Sequence, residues 1–149
     1  MNIDSTVGNI LQHKGGQIWS VMPSTTVFDA IKTLAERNVG AVLVMDGDAL
    51  VGIFTERDYT RKIILQGRSS MTTRVGEVVS SPVQTVTPED TVESCMKLMT
   101  ERRIRHLPVL NGGKVAGVIS IGDLVNWIIS TQKAALEQMH RYLAGGVPG

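Results

Sequence analysis

The sequence of 149 residues contains a single cysteine, Cys95, which excludes an internal disulfide. Neither charge dominates, since 15 Lys and Arg residues face 14 Asp and Glu residues, so no broad basic surface indicates nucleic acid binding. No apolar run approaches the length of a membrane span. The first residues also lack the charged-then-apolar pattern of a signal peptide. We therefore expect a soluble cytoplasmic protein with no nucleic acid or membrane partner.

Motifs for metal binding and catalysis are missing as well. The histidines, His13, His106 and His140, show no metal-ligand spacing with Cys or acidic residues. No Gly-rich Walker loop, nucleophile elbow or paired-acid motif is found. Cys95 lies beside the Met96 and Met99 stripe of a predicted helix, which favours a core position over a redox role. These absences predict no catalytic residue, no metal and no catalytic cofactor, and thus not an enzyme.

What the chain does contain is one unit twice. Residues 18–65 fall on residues 83–130 at an offset of 65 without a gap. A gapless internal repeat fixes the architecture before any single motif is interpreted. Each copy alone would be marginally stable, so we expect the two to share a core and a seam where a ligand could bind. The matched pairs include Val21/Val86, Pro23/Pro88, Thr26/Thr91, Lys32/Lys97, Glu36/Glu101, Gly52/Gly117 and Asp58/Asp123.

Each copy has the pattern strand, helix, strand, strand, helix. Thr25 and Asp90 are predicted to cap the first helix of their copies. The dipeptides Asp46-Gly47 and Asn111-Gly112 predict tight hairpin turns. Helical or strand periodicity places the elements of the first copy as follows: a strand at 18–21, a helix carrying Val27, Ile31 and Leu34, strands at 41–45 and 50–54, and a helix at 56–65.

Shorter segments flank the two copies. Val7-Gly8 resembles Val75-Gly76 at an offset of 68, so the first copy carries three extra residues near Lys14-Gly15-Gly16. The last helix is predicted to continue to about Leu143, and an apolar stripe along it favours a homodimer contact over a frayed tail. That stripe comprises Leu124, Ile128, Thr131, Ala135, Met139 and Tyr142. We therefore expect repeat 1 at 5–66, a polar linker at 67–74, repeat 2 at 75–131, and at 132–149 a helical extension with a disordered end from Gly145.

The paired units resemble tandem cystathionine β-synthase (CBS) domains, also called a Bateman module, of the stand-alone bacterial type. The resemblance covers about residues 5–131 and is specific because the motifs recur in register. It implies an α/β (α+β) fold of two βαββα repeats about a pseudo-twofold axis, with an adenosine-containing ligand bound between them. The motifs are Val21-x-Pro23 with Val86-x-Pro88, Arg105 to Val109, and Gly52 to Asp58 with Gly117 to Asp123.

The duplicated Thr/Ser-x-x-Asp turn can also be interpreted chemically. Thr55 and Ser120 stand where a strand ends and a helix begins, and Asp58 and Asp123 follow three residues later. A carboxylate can accept hydrogen bonds from both ribose hydroxyls, and a helix N-terminus favours phosphate. The competing interpretation is a capping box that only starts the helix. Both can hold at once.

The resemblance implies further site residues. A hydroxyl at Ser20 or Thr85 faces the nucleotide in family members, and an Arg/His pair near Arg105 and His106 is directed at phosphate. Gly40-Ala41 replaces that pair in the first copy, so the cleft is expected to be chemically asymmetric. The remaining candidates are Ile121, next to Ser120, and Arg57, within the Thr55 turn. Most of the neighbouring charges, among them Arg61, Lys62 and Arg68, are interpreted as a solvated helix face.

The expected function is that of a regulatory module that senses AMP, or else ADP, ATP or NAD(H), and signals to an unidentified effector protein. S-adenosylmethionine is a further candidate ligand. Two other classes remain open at this point. One is a small enzyme that uses Asp58 or Asp123 as a base, and the other is a ligand-free scaffold that only dimerises.

Overall fold

The computed structural model describes residues 5–79 and 83–144 and confirms the mixed α/β architecture of two similar units. In the first unit, β1 (Ser20–Val21) pairs in parallel with β2 (Ala41–Asp46), which pairs antiparallel with β3 (Ala49–Thr55). In the second, β4 (His106–Asn111) and β5 (Lys114–Ser120) form a hairpin. The strand expected before it is reduced to one parallel bridge, Val86 to Val109.

The helices complete each unit. The elements of the first are α1 (Val7–Lys14), α2 (Val27–Arg37) and α3 (Glu56–Asp58), which continues as a π-helix (Tyr59–Ile64). The second has a 3₁₀ turn (Val75–Glu77), α4 (Val92–Arg102) and α5 (Ile121–Ala144). The predicted helix at 56–65 is therefore mostly π-helical, whereas its counterpart α5 is a regular α-helix. No helix within the described ranges is long and apolar enough to cross a membrane.

Two predicted local features are shifted by one residue. The helix caps are Thr26 and Thr91, not Thr25 and Asp90. Thr25 Oγ1 instead accepts from Met22 N at 3.0 Å, and Asp90 Oδ2 accepts from Thr87 N at 2.7 Å, so both close the proline turn that precedes the helix. The hairpin turns likewise begin one residue later than predicted, at Gly47 and Gly112, because Asp46 and Asn111 are the last residues of their strands.

The glycines of those turns have the conformation that the prediction required. Gly47 and Gly112 both have φ +60, which glycine adopts without steric cost. The two-residue turns are thus Gly47-Asp48 and Gly112-Gly113. Outside glycine, the positive-φ residues of the described chain are Asn38 and Arg103, which end α2 and α4 at matched positions.

The expectation of one shared core is wrong, because the buried apolar residues form two clusters. Each cluster is nevertheless completed by the other half of the chain. Val7 and Ile10 of α1 are buried among residues of the second unit, while Val75 and Val78 are buried in the first. Matched backbone bonds hold the exchanged segments: Val7 N donates to Asp90 O and Val75 N to Thr25 O, each at 2.8 Å.

The segment between the units is also packed. Thr73 is buried, and its carbonyl accepts from Val27 N at the start of α2. Beyond the core, α5 continues as predicted: Leu124 is buried, Ile128 packs on the core, and residues 132–143 are exposed. The predicted disorder from Gly145 lies outside the described residues.

Candidate functional site

The first acidic turn starts α3 at the end of β3. Asp58 Oδ2 accepts from Thr55 N at 3.0 Å and from Thr55 Oγ1 at 3.1 Å, and Asp58 N donates back to Thr55 Oγ1 at 3.1 Å. This reciprocal capping box fixes the carboxylate at the mouth of the helix. The capping interpretation is therefore confirmed, and the capping bonds hold the half-buried Asp58 carboxylate in one orientation.

The second acidic turn repeats this geometry where β5 meets α5. Ser120 N donates to Asp123 Oδ2 at 2.8 Å, and Asp123 N donates to Ser120 Oγ at 3.1 Å. Ile121 N donates to Arg105 O at 2.9 Å, as Glu56 N does to Gly40 O at 3.2 Å. The sequence thus folds locally in the same way in both copies.

A cleft of about 1090 Å³ lies at the first turn, with walls from both units. Of the residues singled out by sequence, it brings together Thr55, Arg57, Asp58, Arg105 and His106. The remaining candidates do not line it: Ser20 is exposed on β1, Thr85 follows the lining residue Gln84, and Ser120, Ile121 and Asp123 belong to the second turn.

The lining of this cleft is strongly basic. Two acidic residues, Glu56 and Asp58, face six basic side chains, which makes the cleft suitable for an anion such as phosphate. Arg61 is exposed, as expected for a solvated helix face, but it and the partly exposed Lys62 also line the cleft, whereas Arg68 lies elsewhere, paired with Glu77 at 3.1 Å. The basic lining residues are Arg57, Arg61, Lys62, Arg102, Arg103 and Arg105.

Sequence reasoning missed Arg102 and Arg103, which come from the end of α4. Arg103 has φ +55 and caps that helix. Its carbonyl accepts from Arg57 Nη1 at 2.9 Å, so the first acidic turn is bonded directly to the second unit. The available signal was positional: Arg103 matches Asn38, a residue type common at left-handed helix ends.

His106 lies against the first unit. A Cβ atom on Gly40 would stand 3.3 Å from His106 Cε1, so the glycine in place of Arg105 makes room for the imidazole. Burial lowers the pKa of His106; Lys14 and Arg105 lower it further, against the opposing effect of Asp123 and Glu56. A neutral imidazole can still donate one hydrogen bond to a phosphate.

Each acidic turn meets a lysine, but by different routes. Lys62, four residues after Asp58, is 3.5 Å from Asp58 Oδ1 and donates to Val78 O at 2.8 Å. Lys14, from the exchanged helix α1, is 2.6 Å from Asp123 Oδ2 and donates to Val118 O at 2.8 Å.

The electrostatics of Asp123 follow from that lysine contact. Burial would raise the pKa of Asp123, but the bonds from Lys14 and from the Ser120 backbone outweigh it and lower the pKa. Asp123 is thus held ionised by residues of its own chain. The ionised carboxylate is a hydrogen-bond acceptor, and its lowered pKa makes it a weak general base.

Two other predicted features concern cysteine and metals. Cys95 is fully buried in the second core, and burial raises its pKa to about 11, so the core position is confirmed. Among the described residues, no group of three or more His, Cys, Asp or Glu side chains could hold a metal ion.

Comparison with known proteins identifies the fold. A sequence model of the CBS domain matches the chain twice, at residues 7–65 and 75–130. The chain belongs to the CBS-domain family. It is 40% identical over 152 residues to the mitochondrial CBS domain-containing protein CBSX3 of Arabidopsis thaliana, an alignment covering 95% of this chain and 73% of that protein. The chain is therefore a CBS pair, a type of module with regulatory or signal-transduction roles.

Solved structures show the same pair. A CBS-domain protein from Burkholderia ambifaria MC40-6, proposed to act in signal transduction, is 52% identical with a TM-score of 0.82, covering 85% of this chain and 96% of its own. The CBS pair of protein MJ0100 has a TM-score of 0.73 at 20% identity, covering 85% and 97%, and was solved with 5′-methylthioadenosine and S-adenosyl-L-methionine. At that identity the second likeness shows the fold alone.

Proposed function

We propose that this CBS pair is a regulatory module that binds one adenosine-containing ligand, AMP first among them, in the cleft at Asp58. The observation that most supports this proposal is that one cleft is lined by the acidic turn of the first unit and by Arg105 and His106 of the second. In this proposal, Asp58 accepts hydrogen bonds from the ribose hydroxyls, and the basic residues around Arg105 bind the phosphate. ADP, ATP and NAD(H) carry the same groups.

The ligand would act through the seam between the units. Arg57 already bonds across it to the Arg103 carbonyl, and His106 packs on Gly40. A phosphate attracting Arg57 or Arg105 would compete with these contacts and change how the units meet. An effector protein would read that change. We propose no catalytic role, and a cytoplasmic location, although the Arabidopsis relative is named as mitochondrial.

A thermal-shift panel tests the binding proposal. At about 100 times its Kd, a specific ligand should stabilise the fold by about 2.7 kcal/mol. For a chain of this size, that is a rise in Tm of roughly 5–10 °C. The panel contains AMP, ADP, ATP, NADH and S-adenosylmethionine, with inosine monophosphate as a base control. If none of the adenosine ligands shifts the Tm and the purified protein carries no nucleotide, the proposal is wrong.

We further propose that the end of α5 forms a homodimer contact. Its residues 132–143 have no counterpart in the first repeat and are exposed. Leu136, Met139 and Leu143 recur at helical spacing and are 66%, 59% and 75% exposed, a stripe that needs a partner. A chain truncated after Thr131 should stay folded and bind ligand but dimerise more weakly in sedimentation. An unchanged dimer constant would assign the dimer to the CBS units themselves.

A further inference from the structure

The second acidic turn should offer a second cleft, because the repeat maps the lining of the open cleft onto other residues. At the offset of 65, Asp58 corresponds to Asp123, Gln84 to Trp19 and Arg102 to Arg37. A chain with two equal copies would thus carry two equal sites. The contacts at these matched positions show that the sites are not equal.

Lys14 bonds to the second acidic turn from outside the repeat. Its ammonium lies 2.6 Å from Asp123 Oδ2 and donates to the carbonyl of Val118, whose counterpart Ile53 lines the open cleft. The ammonium stands at the carboxylate where a ribose diol would have to bind. The contact between Lys62 and Asp58 is longer, at 3.5 Å, and Lys62 is itself one of the residues that line the open cleft.

The three extra residues of the first copy account for this position. They fall near Lys14-Gly15-Gly16, at the end of α1, where the second copy has a shorter connection. Gly15 has φ +86, and a Cβ on Gly16 would lie 2.8 Å from Ala116 O, so the loop runs directly against β5. Such an approach requires glycine. The insertion thereby delivers Lys14 to a turn that belongs to the other unit.

Two further counterparts of open-cleft residues contact each other. The Arg37 guanidinium lies 4.1 Å from the centre of the Trp19 ring, a cation–π arrangement. Their counterparts, Arg102 and Gln84, line the open cleft. An arginine that could meet a phosphate is therefore stacked on the chain itself, and the ribose acceptor is bonded to Lys14.

We propose that Lys14 closes the Asp123 side, so that each chain takes its ligand on the Asp58 side alone unless Lys14 is displaced. This proposal rests on the proposed function, because it specifies which of two related clefts binds. Lys14 acts as an internal competitor whose ammonium replaces the ribose hydroxyls as hydrogen-bond donor to Asp123. The two clefts of one duplicated module would then have different tasks, one for sensing and one for locking α1 onto the second unit.

Titration calorimetry with AMP and with adenosine tests the proposal. Wild type should bind one ligand per chain, and Lys14→Ala should bind two, or should raise the affinity of a weak second site by about tenfold or more, as expected for removing a charged hydrogen bond that competes. Lys32→Ala, an exposed lysine that pairs with Glu36 at 4.0 Å, is the matched control and should behave like wild type. Asp123→Ala added to Lys14→Ala should return the stoichiometry to one.

Competitive acetylation gives a readout that needs no ligand. Lys14 should acetylate more slowly than Lys32 in the folded wild type, and Asp123→Asn should remove that protection. Two sites of equal affinity in wild type, no change in the number or affinity of sites in Lys14→Ala, or weaker binding in that variant would each overturn the proposal while leaving the proposed function intact. If neither probe binds wild type or Lys14→Ala and no ligand of the thermal-shift panel shifts the Tm, the proposed function is wrong and this inference falls with it.

Discussion

The turn at Thr55–Asp58 and the turn at Ser120–Asp123 share a reciprocal pair of capping bonds but have different surroundings. Asp58 opens onto a basic cleft shared by both units, whereas Asp123 is bonded to Lys14 at 2.6 Å. The local hydrogen bonds are set by four residues and survive duplication. The residues around each turn come from distant segments, and they differ between the two copies because the first copy carries three extra residues near Lys14. In a duplicated fold, equal motifs therefore do not imply equal sites.

The largest expected effect tests how firmly α1 is held on the second unit. Ile10 is 3% exposed in that core, so Ile10→Ala should reduce the free energy of unfolding by about 2–5 kcal/mol. Leu65→Ala, at a position 74% exposed and outside both the cleft and the end of α5, should change it by less than about 0.5 kcal/mol. Urea denaturation measures both. Equal, small losses would mean that α1 is not anchored and cannot hold Lys14 in place.

The next effect separates the two acidic turns directly. Asp58→Ala should weaken AMP binding by about tenfold or more, since a hydrogen bond to a charged group contributes roughly 1.5–3 kcal/mol. Asp123→Ala should weaken only a ligand in its own pocket, so the first binding event should be nearly unchanged. Calorimetry on both variants decides. If Asp123→Ala causes the larger loss, the assignment of the two clefts is reversed.

A loss of AMP affinity of similar size, but specific to the phosphate, is expected when a basic residue that lines the cleft is replaced. Arg105→Ala should weaken AMP by about tenfold and adenosine far less, because only the phosphate loses a partner. Arg37→Ala, which removes the arginine stacked on Trp19, is the matched control and should affect neither ligand strongly. Equal losses for AMP and adenosine in the Arg105 variant would remove Arg105 from the phosphate role.

The smallest effect is a pH dependence at the seam. Folding lowers the pKa of His106 from 6.5, so below pH 6.5 the unfolded chain binds a proton that the folded chain resists. This contribution to stability is present above pH 6.5 and is lost as the pH falls. His106→Gln should therefore show a shallower decline in urea midpoint between pH 7 and pH 5. Parallel curves for both proteins would show that His106 titrates normally.

Sequence reasoning predicts the repeated architecture because it is encoded in local periodicity and in the offset of 65. It also predicts both acidic turns, since Thr/Ser-x-x-Asp satisfies its own helix start. The helix cap was predicted at Thr25, one residue before the observed cap at Thr26, because Thr25 instead closes the preceding proline turn. Each of these features is decided within a few residues.

The features that sequence did not predict depend on contacts between distant segments. Nothing near Val7 indicates that it bonds to Asp90 rather than to its own repeat. Arg102 and Arg103 join the cleft because α4 ends opposite the first unit, which no local pattern reveals. The extra residues at Lys14 were visible as an insertion, but their contact with Asp123 depends on how α1 packs.

The exchanged segments also set the order in which the chain can fold during synthesis. Val7 leaves the ribosome long before Asp90, its hydrogen-bond partner, and Leu124, which shares its core. At about 5–20 residues per second, α1 waits several seconds with its apolar face uncovered. The first unit meets the same delay on a smaller scale, since Val75 must emerge before its core closes. The first core can thus close once Val78 has emerged, whereas the second stays incomplete until Leu124 has emerged.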